Sequence, residues 1–326
     1  MISFKANSPA PESKAVSERP LTAHHKLLIT GVENSLANFL AHGLYELGKP
    51  VTVQAVNGES IVAAARNFPV IEYSLSDERF AEALARLEPD VIIHAPAEPS
   101  REPSAHWPMA AYNRIVEKTL MLCEAARRHS PRSRVVLLSS ADVYGECHSP
   151  ASEQTAPNPV SIQGRYMHMA EQVLKDYSEI HGLSATVLRL GPVYGPAVVN
   201  NPVHDMVFTL LGPQGTNSTV GVKPSATRDV IHAADLVQAV SLILGKTKEG
   251  TFNVGTGNSV PLLELYSQLC AILELKPGSL PASTIPEASR QQLDVSKLTA
   301  LGFSPRVSLL EGMRGYAAWW SGSKAA

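Results

Sequence analysis

Residues 27–37 read Leu-Leu-Ile-Thr-Gly-Val-Glu-Asn-Ser-Leu-Ala, and this stretch with its continuation decides the architecture. Leu27 to Thr30 is a short apolar run that stops at Gly31. Apolar residues then recur at Leu36, Phe39, Leu40, Leu44 and Leu47, a helical spacing that Gly48 closes. Val51-Thr52-Val53 starts a second strand. Strand, turn, helix and strand in this order open a doubly wound parallel sheet of the α/β class.

Outward from this unit the alternation continues. Strands are expected at Val70 to Tyr73, Asp90 to His94, Arg134 to Leu138 and Ala185 to Arg189. Helices are expected at Ala81 to Leu87, Tyr112 to Arg128 and Met167 to His181. Runs such as Val135 to Leu138 are continuously apolar rather than alternating, which suits strands covered by helices on both faces. Past residue 190 the pattern loosens. Pro and Gly are frequent from Pro192 to Pro224, with one helix near Val207. Two more strands and two helices follow, including Leu262 to Leu273. The expected division is a tail over 1–25, a sheet core over 26–190 and a smaller C-terminal lobe over 191–326.

Composition narrows the function. The 326 residues carry 28 basic and 30 acidic side chains, a net charge of -2. That balance offers no basic face for nucleic acid. No apolar run reaches the roughly 18 residues of a membrane span. Cys123, Cys147 and Cys270 are far apart and odd in number, as expected of a reducing cytoplasm, and no metal site is expected. Met1 to His25 is rich in Ser, Pro and Ala and lacks the apolar stretch of a secretory signal; its composition is that of a disordered tail.

Five segments carry a resemblance: Leu138-Ser-Ser-Ala-Asp-Val-Tyr-Gly145, Leu188-Arg-Leu-Gly-Pro-Val-Tyr-Gly-Pro196, Arg228-Asp-Val-Ile-His-Ala-Ala-Asp235, Phe252-Asn-Val-Gly-Thr-Gly257, and Asp294-Val-Ser-Lys297 with Leu301-Gly302. Together, in order and spacing, they resemble the NAD-dependent epimerase/dehydratase family of extended short-chain dehydrogenases/reductases, from Lys26 to about Trp320. The resemblance implies a seven-stranded Rossmann-type sheet with a C-terminal substrate-binding lobe. It also implies nucleotide-linked sugars as substrates, and a homodimer formed through the helices over 112–128 and 167–181.

The family's phosphate loop reads Thr-Gly-x-x-Gly-x-x-Gly, which maps here onto Thr30, Gly31, Asn34 and Ala37. Gly31 suits the tight turn and Ala37 the close packing of helix on sheet. Asn34 replaces the middle glycine; among non-glycine residues it tolerates positive φ well. Glu33 adds a carboxylate beside a helix end that should hold phosphate, with the role of a helix-start acid. Ala55 stands where the family's ribose-binding acid ends the second strand, with Asn57 two residues on and Arg66 farther away. Ser74 replaces the adenine-side Asp before Leu75. Ala95 and Ala97 line the third turn. The resemblance implies NAD or NADP, but these substitutions keep the pocket's shape while removing its charged anchors, and that weighs against binding.

Relatives place Ser or Thr after the fourth strand and Tyr-x-x-x-Lys on the next helix. The tyrosinate is the general base and the ammonium lowers its pKa. Ser140 matches the first position. Gln163 and Met167 occupy the Tyr and Lys positions, and Ile115 the position of the family's Asn. An amide does not ionise near neutral pH and a thioether carries no charge. Tyr166, three residues beyond Gln163, and Asp142 are the candidate substitutes. In the substrate lobe Pro192, Arg228 and Arg290 match ligand-binding positions; Arg228 suits a diphosphate, against a salt bridge with Asp229 or Asp235. Arg189, Tyr144 and Tyr194 are expected to pack, and His232 to lie in the core or behind the site. Two functions follow. One is a redox-silent binding protein or non-redox enzyme acting on a small, nucleotide-linked molecule. The other is an NAD(P)-dependent epimerase or dehydratase with substitute catalytic groups.

Overall fold

The computed structural model describes residues 25–56, 67–96, 107–212, 225–246, 249–277 and 287–323. The expectations for the tail up to His24, and for Asn57, Arg66 and Ala97, fall outside the described residues.

Seven parallel strands form the main sheet. In chain order they are β1 (Leu27–Thr30), β2 (Val51–Gln54), β3 (Val70–Ile71), β4 (Val91–His94), β5 (Arg134–Ser140), β6 (Ala185–Leu190) and, after short β7 (Val193–Tyr194), β8 (Thr227–Arg228) and β9 (Ile231–His232), β10 (Gly250–Val254). Their spatial order is β10-β6-β5-β4-β1-β2-β3. The winding reverses between β1 and β4, where a crevice opens at the strands' carboxyl ends. Leu27 to Thr30 pair in register with Val51 to Gln54 on one side and Val91 to His94 on the other. All four residues of β1 and of β4 are buried, as the apolar runs require.

The first helix, α1 (Ser35–Glu46), buries Ala37, Leu40, Ala41 and Leu44, the one face that the sequence spacing marks. Gly31 makes the turn before it at φ +85, and a Cβ there would lie 2.3 Å from the Ala95 carbonyl oxygen. No other residue allows β1 and β4 to end so close together. Helix α2 (Glu78–Leu87) follows β3 and starts three residues earlier than expected, capped by Asp77.

Two helices depart from expectation. The single helix read over 112–128 is three pieces: α3 (Pro108–Tyr112), a π turn (Asn113–Glu117) and α4 (Lys118–His129). Periodicity cannot show such a turn, because the inserted residue leaves the adjacent Ile115 and Val116 both buried within it. The helix read from Met167 begins instead at Ile162, as α5 (Ile162–His181), with Ser161 accepting a hydrogen bond from the Gly164 amide. Ser161 is of the residue type favoured at a helix N-cap. Gly164 is required by position, since a Cβ on it would sit 2.6 Å from the Asp142 carbonyl oxygen.

β7, β8 and β9 lie outside the main sheet. A separate apolar cluster gathers Tyr194, Val203, Met206, Leu265, Tyr266, Met313, Tyr316 and Trp320 from this later part of the chain. The helix near Val207 is α6 (Pro202–Leu211), and the one starting at Leu262 is α8 (Leu262–Ile272), after α7 (Ala233–Gly245).

Candidate functional site

A cleft of about 190 Å³ opens at the winding reversal. Gly31, Glu33, Asn34, Gln54, Val56, Leu75, His94, Ala95 and Pro96 form one part of its wall, and Arg114 and Lys118, from the π turn and the start of α4, form another. Gly31, Asn34, Leu75 and Ala95 were read as ligand-facing, and the structure places them together here. Ala37 packs against the sheet, fully buried, as its small size suggests, and Ala55 is fully buried with its amide on the Ile71 carbonyl.

The α1 end uses one of its own amides in a cap. Asn34 has φ -81, so positive φ plays no part in its choice. Its Oδ1 accepts a hydrogen bond from the Leu36 amide at 2.9 Å. An Asn at N-cap occupies a donor that an anion would otherwise use. Glu33 is not a helix-start acid. Its carboxylate reaches across and accepts from the Val56 amide at 3.0 Å, tying the loop to the end of β2.

Arg114 and Lys118, both half-buried, add to the cleft wall two charges that the reading of the anchors at Ala55 and Ser74 did not include. Their i, i+4 spacing could have flagged a shared helix face. Which way that face points depends on the π turn. His94 is a second residue that sequence reasoning passed over. It ends β4 with 1% exposure, and Nδ1 lies 2.7 Å from the Thr30 hydroxyl. Burial, with the nearby Lys118 charge, holds its pKa down to about 3, so the imidazole is neutral.

Around Ser140 the side chains are engaged locally. Ser140 caps a 3-10 turn (Ala141–Tyr144), its hydroxyl accepting from the Asp142 amide at 3.1 Å. The Asp142 carboxylate accepts from Gln291 Nε2 at 2.9 Å, a partner 149 residues away. Gln163 is half-buried in the first turn of α5. Met167 is 2% exposed within a core cluster that includes Ile115, Ala170 and Leu174. The Tyr166 ring meets Tyr112 edge-on at 5.8 Å, and among the described residues no hydrogen bond joins it to Ser140 or Asp142.

Arg228 is corrected in its partner. It pairs with Glu287 at 2.8 Å and donates to the Thr227 carbonyl, not to Asp229 or Asp235. Asp229 instead holds the Thr256 and Gly257 amides, and Asp235 those of Arg306 and Val307. Arg290 has its amide on Glu146 and an exposed side chain, while Pro192 offers its carbonyl to the Ile231 amide. His232 caps α7. Tyr144 and Tyr194 are both buried, as expected of packing residues. Cys123, Cys147 and Cys270 are buried thiols, and among the described residues no cluster could hold a metal ion. No helix among them is long and apolar enough to cross a membrane.

Comparison with known proteins agrees with this architecture. An uncharacterised UDP-glucose epimerase of Bacillus subtilis is 28% identical over 319 residues, covering 91% of this chain and 98% of that protein. A UDP-glucose 4-epimerase of Azospirillum brasilense is 26% identical, covering 92% and 93%. Among solved structures, the Thermus thermophilus UDP-glucose 4-epimerase in complex with NAD superposes with a TM-score of 0.81 at 24% identity, over 91% of this chain and 99% of that one. The Thermotoga maritima UDP-glucose 4-epimerase with UDP-glucose gives 0.78 at 25% identity, over 92% and 99%. The family pattern described as the NAD dependent epimerase/dehydratase family matches residues 27–255. With that match spanning most of its length, and with a parallel seven-stranded sheet behind it, this chain belongs to the NAD dependent epimerase/dehydratase family.

Proposed function

We propose that this protein binds a nucleotide-linked small molecule and does not carry out hydride transfer through a Tyr–Lys pair. The observation that carries this reading is Met167: a buried thioether, 2% exposed, stands where the resemblance requires an ammonium group. Gln163 one turn earlier offers an amide in place of a phenol. Loss of a general base alone lowers a rate by about 10²–10⁴. A bound nicotinamide dinucleotide supplies hydride exchange, but the α1 end of the cleft does not fit its pyrophosphate well: Asn34 already uses the Leu36 amide and Glu33 adds negative charge. The similarity to UDP-glucose epimerases supports a sugar nucleotide as ligand class. In this reading Ser140 and Asp142 contact the ligand from the sheet side, and Pro192, Arg228 and Arg290 from a C-terminal lobe over 191–326.

The test is direct. The purified chain is incubated with UDP-glucose, with and without NAD. The expected result is a rise in Tm with UDP-glucose and neither sugar inversion nor reduced nicotinamide. Sustained conversion to UDP-galactose, or the absence of any UDP-glucose binding, would overturn the proposal.

The same reading includes a homodimer through the helices over 112–128 and 167–181. Tyr112, Leu120, Met169 and Ile180 are exposed apolar side chains on these helices, with Ile180 at 72%. Apolar side chains gathered on two neighbouring helices mark a contact surface. Light scattering should find a dimer, and Leu120→Glu combined with Met169→Glu should yield a folded monomer. A monomeric parent protein would rule the arrangement out.

A further inference from the structure

The cleft at the winding reversal has moved its positive charge. In a dinucleotide fold the anion sits on the first helix N-terminus. Here that end is occupied by Asn34 and faced by the Glu33 carboxylate. The wall formed by the π turn carries Arg114 and Lys118 instead. π turns inside α-helices are frequent at functional sites because they re-aim the side chains that follow. This one buries Ile115 and Val116 while Arg114 and Lys118 line the cleft. Among the described residues no carboxylate forms an ion pair with Lys118. His94, which lines the same cleft, is 1% exposed and its Nε2 has no hydrogen-bond partner. A buried polar atom in that state calls for a partner that a ligand would supply. The Thr30 hydroxyl can donate to Nδ1, which leaves Nε2 as an N–H donor.

Resting on the ligand-binding reading above, we propose that Lys118 anchors a phosphate group of the ligand in this cleft, with His94 Nε2 donating a hydrogen bond to the same group. The ammonium gives a charge-assisted bond and the neutral imidazole a directional one. Anion binding is thereby transferred from the α1 end to Lys118 and His94.

Phosphate of this kind belongs either to an adenine dinucleotide or to a uridine sugar nucleotide, so ADP and UDP are titrated separately, with adenosine and uridine as controls. At least one diphosphate should bind, and its affinity should weaken with added salt. Lys118→Met should lower that affinity by about tenfold or more, and Lys118→Arg should restore most of it. The His94 ring nitrogen resonances should shift when the diphosphate is added to the parent protein and stay unmoved in Lys118→Met. Whichever diphosphate loses affinity identifies the source of the phosphate. Equal affinity of Lys118→Met and the parent protein for both, or no binding of either, overturns the proposal. UDP-glucose turnover with NAD would instead defeat the redox-silent reading and leave Lys118 as an anchor.

Discussion

Replacing Glu171 by alanine is expected to lower the unfolding free energy by about 3–5 kcal/mol, the cost of leaving a buried charge without its partner. Glu171 is 4% exposed on α5 and accepts from Arg189 Nη2 at 2.7 Å, from Arg189 Nε and from the Ser139 hydroxyl at 2.6 Å. The Arg189 guanidinium lies over the Tyr144 ring at 4.8 Å, and the Tyr144 hydroxyl donates to Asn253 at 2.7 Å. Asn253 in turn donates to the Ala151 and Asp294 carbonyls. One network therefore joins α5, β5, β6, β10 and the returning C-terminal chain directly behind Ser140. Urea unfolding measures the loss. Replacing both partners, Glu171→Met with Arg189→Met, should cost much less than the single change, because neither charge is then stranded. A single-variant loss below about 1 kcal/mol, within the range of exposed pairs, would show the pair to be solvated.

The second large effect concerns Gln163 and Met167, at the positions that the resemblance assigns to the catalytic pair. Met167→Lys is expected to destabilise the fold by roughly 3 kcal/mol, since an ammonium would replace a thioether in a close-packed, unpaired environment. Adding Gln163→Tyr should not create an epimerase. Phenol and ammonium would both be present, but Asn34 still occupies the Leu36 amide and Ala55 still supplies no side chain to hold a ribose. Chromatographic assay of UDP-glucose conversion checks this. Turnover by the double variant approaching that of a working epimerase would mean that the cofactor cleft is intact and that only two side chains separate this protein from its active relatives.

The site was legible in part. Gly31, Asn34, Leu75 and Ala95 were recognised from the phosphate loop and the strand ends, because that motif is a local strand-turn-helix unit. Asp142 was read as a candidate substitute for the catalytic group. It begins a turn, but its carboxylate is engaged by Gln291, whose distance along the chain hides it from any local pattern. Arg228 was assigned to neighbours in sequence, yet its partner is Glu287, because β8 brings the later segment beside it. Lys118 and Arg114 drew no reading from the sequence beyond their place on a helix. Without the π turn their direction could not be foreseen.

The sequence alone determined the parallel sheet of the α/β class, the Gly31 turn and the uncharged residues, Gln163 and Met167, at the positions where the resemblance expects Tyr and Lys. These depend on apolar period, backbone freedom and residue chemistry, which act over a few neighbouring positions. Tertiary structure decided which charges meet. Thr30 meets His94 across 64 residues and Val56 meets Glu33 across 23. A charge takes its role from the dielectric and the partners around it, and those are set only when distant segments pack.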